Sequence, residues 1–146
     1  MQKRSNIGKV APAAYKAMLA LEDYQETTEI EPLHKELIRI RASQINGCAY
    51  CLDMHTKDAR KLGETEQRIY TLNAWRETPF FSPKERTILA LTEEITLIAG
   101  HVKDETYQNA LNELGEKVLA EVIMAICVIN AWNRIGISTN MMPVAG

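Results

Sequence analysis

Two cysteines three positions apart, followed by a histidine four positions beyond the second, are the residues of this chain best suited to chemistry. They stand in the segment Gly47-Cys48-Ala49-Tyr50-Cys51-Leu52-Asp53-Met54-His55. On a helix, residues three or four apart are neighbours, so Cys48 and Cys51 can touch and Cys51 and His55 lie on one face. A thiol in the first turn feels the positive end of the helix dipole, which stabilises thiolate and makes it nucleophilic near neutral pH. His55 can accept the thiol proton of Cys51, and a carboxylate that orients the ring would strengthen that role. The pattern therefore points to a reactive dithiol that cycles through a disulfide.

Glu36 is the candidate carboxylate. Asn46-Gly47 reads as a helix stop, and the next helix opens around Cys48. If these helices fold back antiparallel, Glu36 lies about ten residues before the turn and His55 about eight after it, which at ~1.5 Å per residue leaves their levels ~3 Å apart. Glu36 flanks the apolar stripe of Leu33, Leu37 and Ile40, so it can look into the helix interface. A relay Glu36, His55, Cys51 is the expectation. The nucleophile stays open at this point: proximity to the helix start favours Cys48, and proximity to His55 favours Cys51.

Plainer readings compete. Two free cysteines are often small buried hydrophobes. Cys48, Cys51, His55 and Glu36 could together hold zinc, although no second ligand pair is visible. Haem attachment needs a histidine directly after the second cysteine, where Leu52 stands. A thioredoxin-like site needs strands, and no segment shows sustained alternation. His55 taken alone reads as a core histidine, and Glu36 as a solvated carboxylate. Cys127 is expected to pack inside the last helix, His34 and His101 to lie at the surface, and Trp75 and Trp132 to anchor packing. The stripe Tyr15, Met18 and Leu19 is expected in the core.

The elements that must position these groups are all helical. Helices are expected at about Pro12–Thr27, with Tyr15, Met18, Leu19 and Tyr24 as anchors, and at Pro32–Ile45. The next is Cys48–Leu62, with Cys48, Leu52, His55, Ala59 and Leu62 on its apolar stripe and Asp53, Lys57, Arg60 and Glu64 on its wet side. Others follow at Thr65–Trp75, Pro83–Ala99, Asp104–Leu114 and Glu116–Arg134. Ser82, Pro83 and Glu85 form the clearest start signal, a capping box with proline in the first turn. The last helix is apolar on nearly every side, which fits a central helix shared with a second subunit. The expected fold is a single-domain, all-α bundle of about six to seven helices spanning residues 1–146.

Composition is consistent with that. The 146 residues are 46% hydrophobic and 25% charged, the ordinary globular mix, which excludes a disordered or low-complexity chain. A net charge of −2 leaves no electrostatic footprint for nucleic acid or an anionic membrane. Met1 to Val10 carries Lys3, Arg4 and Lys9 without the apolar run of an export signal. Val118–Trp132, with 13 apolar residues of 15, falls short of a bilayer span. A cytoplasmic location is expected, where three cysteines do not read as a disulfide scaffold.

Glu36, eleven residues, Cys48-Ala49-Tyr50-Cys51, three residues and His55 together resemble the core motif of the alkylhydroperoxidase D-like branch of the carboxymuconolactone decarboxylase family. Val128-Ile129-Asn130-Ala131-Trp132-Asn133-Arg134 is similar to that family's final helix, so the resemblance spans roughly residues 10 to 140. It implies a helical homo-oligomer, trimer or hexamer, and a thiol peroxidase that needs no cofactor or metal. It also implies that Cys51 attacks the hydroperoxide, Cys48 closes the disulfide, and Glu36 and His55 relay the proton. A dithiol donor, lipoyl-linked or thioredoxin-like, would restore the pair. One position departs: peroxidase members commonly carry histidine immediately before the second cysteine, where Tyr50 stands here, and a phenol is a poor base at neutral pH. That departure motivates an alternative, a redox sensor or disulfide carrier without peroxidase turnover; a zinc-holding assembly module is the other. The decarboxylase branch lacks the cysteine pair, which argues against lactone decarboxylation.

Overall fold

The computed structural model describes Gln2 and residues 4–145; Lys3, one of the basic residues of the N-terminal segment, lies outside the described residues. Helices α1 (Ile7–Val10), α2 (Pro12–Gln25), α3 (Pro32–Asn46), α4 (Ala49–Lys61), α5 (Glu66–Thr71), α6 (Pro83–Thr96) and α7 (Asp104–Ser138) follow one another, with no strand among the described residues. The all-helical expectation holds.

The site depends on one tight hairpin. Pro32 opens α3, where its missing N–H would be unbonded anyway. Gly47 ends the helix at φ 71°, a left-handed conformation that only glycine takes without strain. The N–H groups of Gly47 and Cys48 both donate to the Ser43 carbonyl, closing the α3 terminus. Cys48 is already the N-cap of α4, its Sγ accepting from the Cys51 N–H at 3.4 Å. Two residues, Gly47 and Cys48, thus separate the helices, and α3 and α4 pack as an antiparallel pair.

Helix α3 is the hub, packed against α4, α6 and α7. One apolar cluster joins Ile38 and Ala42 of α3 to Ile88 and Leu91 of α6 and to Leu119, Val122, Ile126 and Ile129 of α7, with both Cys48 and Cys51 inside it. A second gathers Leu37, Ile40, Ala59, Leu72, Trp75, Phe81 and Leu89 on the other side of α3. The capping box at Ser82 forms as expected, with Ser82 and Glu85 each accepting from the other's backbone N–H.

Several expectations need correction. The helix expected at Thr65–Trp75 is α5 followed by a 3₁₀ segment over Leu72–Glu77. Helix α6 stops at Thr96, and Ile98–Gly100 is 3₁₀. The last two expected helices are both present and meet at Gly115 (φ 76°) as expected, but the second runs on past Arg134 to Ser138. The short α1, capped by Asn6, carries too little periodicity to be read from sequence.

Burial also differs in places. Glu64 is buried, because Gly63 (φ 95°) turns the chain off the wet face of α4 and presents the carboxylate to Arg68 at 2.8 Å. Leu62, past the last turn of α4, is half exposed. His34 is buried between Glu31 and Glu85, each 3.8 Å away, because the start of α6 closes over it. Leu19 and Tyr24 are exposed, since α2 lies on the outside of the bundle with Gln25 its one buried residue. Cys127 is exposed: α7 is apolar on two faces, and the chain's own helices cover only the one that carries Val122, Ile126 and Ile129.

Candidate active site

Cys48 and Cys51 are joined as a disulfide, with Cα atoms 5.4 Å apart. Both lie almost wholly inside, Cys48 1% and Cys51 3% exposed. Helix α7 comes close enough to pack on the sulfurs because Gly136 faces them: a Cβ there would stand 3.3 Å from Cys48 Sγ. A partly buried amide ladder fixes α7 at that height. Asn46 donates to Asn130 and Asn133, each at 2.9 Å, and Asn133 donates to Ser43 at 2.9 Å.

The two sulfurs differ in access. A cavity of about 320 Å³ opens beside the disulfide, and Cys51 and His55 line it, whereas Cys48 does not. Its walls are Tyr15 and Leu19 of α2, Tyr50 and Met54 of α4, Trp132 of α7 and Met141 beyond it. Tyr15 and Trp132 meet edge to face at 5.6 Å. Tyr15 and Leu19, expected in the core, thus form a pocket wall.

Glu36 and His55 meet as the hairpin geometry predicts. Glu36 Oε2 lies 2.9 Å from His55 Nδ1, and both side chains are buried. With Glu36 ionised, Nδ1 donates and Nε2 is left as the basic nitrogen. The other carboxylate oxygen accepts from Arg39 Nη1 at 2.5 Å. Arg39 Nη2 donates to Glu22 Oε1 at 2.7 Å, and Glu22 Oε2 accepts from Trp132 Nε1 at 3.0 Å. Glu22, Arg39 and Gly136 were missed at the sequence level. Arg39 is legible afterwards as the i,i+3 partner of Glu36; Glu22 and Gly136 carry no local signal, since their partners are remote in sequence.

All four residues expected at the site, Cys48, Cys51, His55 and Glu36, converge here. Their donor atoms are engaged with one another: the sulfurs are bonded together and Glu36 is shared between His55 and Arg39. Among the described residues no group of three or more His, Cys, Asp or Glu side chains is arranged to hold a metal ion.

A second buried charged cluster lies away from the cavity. Arg68 Nη2 reaches Glu85 Oε1 at 2.5 Å, and the guanidinium also lies over the Phe81 ring. Burial pushes the Glu85 carboxyl up, but the hydrogen bonds from Arg68 and the Ser82 N–H outweigh it and hold the group below the ordinary carboxylate range. His34 is the reverse case. Burial lowers its pKa, against the raising effect of Glu31 and Glu85.

Comparison with known proteins agrees with this fold. The model of the carboxymuconolactone decarboxylase family matches residues 12–94, more than half of the chain, and the chain belongs to that family. It is 47% identical to the uncharacterized protein YdfG of Bacillus subtilis over 139 residues, covering 94% of this chain and 95% of YdfG. A crystal structure from Agrobacterium tumefaciens, of a protein of unknown function given the candidate designation antioxidant defence protein AhpD, superposes with a TM-score of 0.95. It is 35% identical and covers 99% of this chain and 100% of its own. The debrominase Bmp8, solved in complex with 2,3,4-tribromopyrrole, shares the fold at a TM-score of 0.85 and 18% identity, covering 95% of this chain and 74% of its own.

Proposed function

We propose that this protein, as one functional domain, is a thiol-dependent peroxidase that reduces hydroperoxides through the Cys48–Cys51 pair. The observation that carries the reading is the shared cavity: Cys51 and His55 line it together, and Glu36 holds His55 Nδ1 at 2.9 Å. A disulfide alone fits many roles; a disulfide whose one accessible sulfur shares a cavity with an oriented imidazole fits a proton-coupled thiol reaction.

In the reduced protein Cys51 gives its proton to His55 and attacks the terminal peroxide oxygen. An S–O bond forms, the O–O bond breaks, and the leaving alkoxide takes the proton from His55 to become an alcohol. Cys51 is then a sulfenic acid. The Cys48 thiol attacks that sulfur, the S–O bond breaks, and water leaves with the remaining proton. Two thiols and a hydroperoxide have become a disulfide, an alcohol and water. Glu36 keeps His55 in one tautomer throughout.

Access supports Cys51 over Cys48 as the attacking sulfur. It also bears on the reductant. Both sulfurs are buried, so a dithiol on a slender arm, lipoyl-linked, suits the cavity better than the broad face of a thioredoxin-like protein. Such a donor belongs to a reducing compartment, the cytoplasm. No helix among the described residues is long and apolar enough to cross a membrane. The uncovered apolar face of α7, with Met124 and Cys127 exposed, fits a homo-oligomer, trimer or hexamer.

Substitution tests the assignment. Cys51→Ser is expected to remove the reaction of the pair with cumene hydroperoxide, whereas Cys48→Ser is expected to react once and accumulate a product heavier by one oxygen atom. Unchanged turnover in Cys51→Ser would overturn the mechanism.

A further inference from the structure

Glu36 does not orient itself. Of its two carboxylate oxygens, Oε2 faces His55 and Oε1 is held by Arg39 at 2.5 Å. The guanidinium is fixed in turn by Glu22 at 2.7 Å, and Glu22 by the indole N–H of Trp132 at 3.0 Å. These bonds run without a gap from α7 through α2 and α3 to the imidazole on α4. Glu22, Arg39 and Trp132 also line the cavity that Cys51 and His55 share. The wall that would receive a substrate and the relay that would move its proton are therefore one hydrogen-bonded unit.

We infer that Arg39 is a positioning residue: by clamping Glu36 Oε1 while anchored to Glu22, it fixes the orientation of His55 and so the basicity presented to Cys51. This rests on the proposed role of His55 as the proton acceptor of Cys51. The chemistry supports Arg over any other cation. Its planar fork offers two N–H groups at a fixed angle, one for each carboxylate, and needs no reorganisation when the proton moves. Without it Glu36 is a buried carboxylate whose remaining partner is His55, and with Oε1 released it is free to rotate away from the ring. The Glu22 anchor supplies the link to α2, the least buried of the long helices, so docking of α2 against the body is transmitted to the imidazole.

The test reads the relay without peroxide. Reduced protein is alkylated with iodoacetamide across pH, and alkylation at Cys51 is followed separately from Cys48 and the exposed Cys127 by digestion and mass spectrometry. Its rate at pH ~7 is divided by the same residue's plateau near pH ~10, where the thiolate forms unaided; the division removes changes in access. The titratable groups facing Cys51 and His55 are Glu22 and Tyr15 from α2, Glu36 and Arg39 from α3, the Cys48 thiol at the N-cap of α4, and Tyr50 and Asp58 from α4. Nitrogen NMR of the His55 ring reports its tautomer in the same samples. Arg39→Met is expected to lower the ratio about tenfold, below the ~10²–10⁴ attributed to general-base catalysis itself. It is also expected to replace the single Nδ1–H tautomer by a mixture. Arg39→Lys, which keeps the charge but not the two-armed fork, should recover only part of either. If Arg39 is only a clamp for α2, Arg39→Met lowers Tm but leaves the ratio and the tautomer as in the wild type, and the proposal is wrong. Should Arg39→Met not fold, Glu22→Gln takes its place: the ratio falls severalfold under the proposal and is unchanged otherwise. Because neither readout uses a hydroperoxide, failure of the peroxidase reading and failure of the Arg39 role give different results.

Discussion

A single imidazole face distinguishes His55 from His34, the other buried histidine. His55 finds a carboxylate at 2.9 Å, whereas His34 has two carboxylates at 3.8 Å and a buried Nδ1 with no hydrogen-bond partner. Burial lowers the His34 pKa, so below its ordinary value of 6.5 the unfolded chain binds a proton that the folded one resists. Stability therefore falls as the pH drops from about 6.5 until folded His34 also protonates. Glu85 adds to this at lower pH. Its folded pKa is held below the ordinary 4.5, so its contribution is fully present above that value and is lost as the pH falls through the folded one. His34→Gln is expected to flatten the stability curve just below pH 6.5 in urea titrations while leaving the later acid loss in place. An unchanged slope there would assign the loss to other groups. The residues of the candidate site were largely legible in the sequence because chemistry restricts them to few types: Cys48, Cys51 and His55 by helical spacing, Glu36 by its level across the turn. Glu22 and Trp132 were not legible as partners, since 110 positions separate them and only the packed fold brings them together.

At the scale of elements, the α3–α4 hairpin sets the register between Glu36 and His55. Gly47 opens this two-residue turn, at φ 71° with open space around it, so backbone conformation and not crowding is what a side chain would violate. Gly47→Ala is expected to cost about 1 kcal/mol or more in chemical denaturation; a neutral result would mean the turn is not under that constraint. Helix starts and stops were readable wherever a single residue decides them, as at Pro32, Gly47, Ser82-Pro83 and Gly115. They were not readable where tertiary packing decides. The 3₁₀ segment over Leu72–Glu77 buries Leu72 and Trp75, and Trp75 donates to Glu93 of α6 at 2.9 Å, a contact that a regular helix pattern cannot encode. Helix α2 illustrates the same limit. Its apolar residues have helical spacing, yet Tyr15 and Leu19 face a cavity and Tyr24 faces outward, because periodicity locates a stripe without naming what covers it.

At the scale of the whole molecule, the packing places the cysteine pair inside the core, beside a cavity that Cys51 lines. On the proposed function, burial would shield the disulfide from casual exchange and the cavity would select the thiols and peroxides that reach Cys51. The outer face of α7 extends the argument to assembly. Met124→Lys, which places a charge on that exposed apolar face, is expected to dissociate the homo-oligomer in light scattering without loss of helix content. A wild-type protein that is monomeric at all concentrations would remove the assembly proposal. The apolar character of α7 was plain from its sequence. Which of its faces stays uncovered, with Cys127 on it, was not, because that depends on where the chain's own helices run out.

The most direct measurement is the mass of fully reduced protein mixed with one equivalent of cumene hydroperoxide and quenched at intervals. The account predicts prompt loss of two hydrogens per chain, mapped by digestion to a Cys48–Cys51 link, with one alcohol released for each link formed. A pair that stays reduced, or that oxidises without consuming the hydroperoxide, would contradict it.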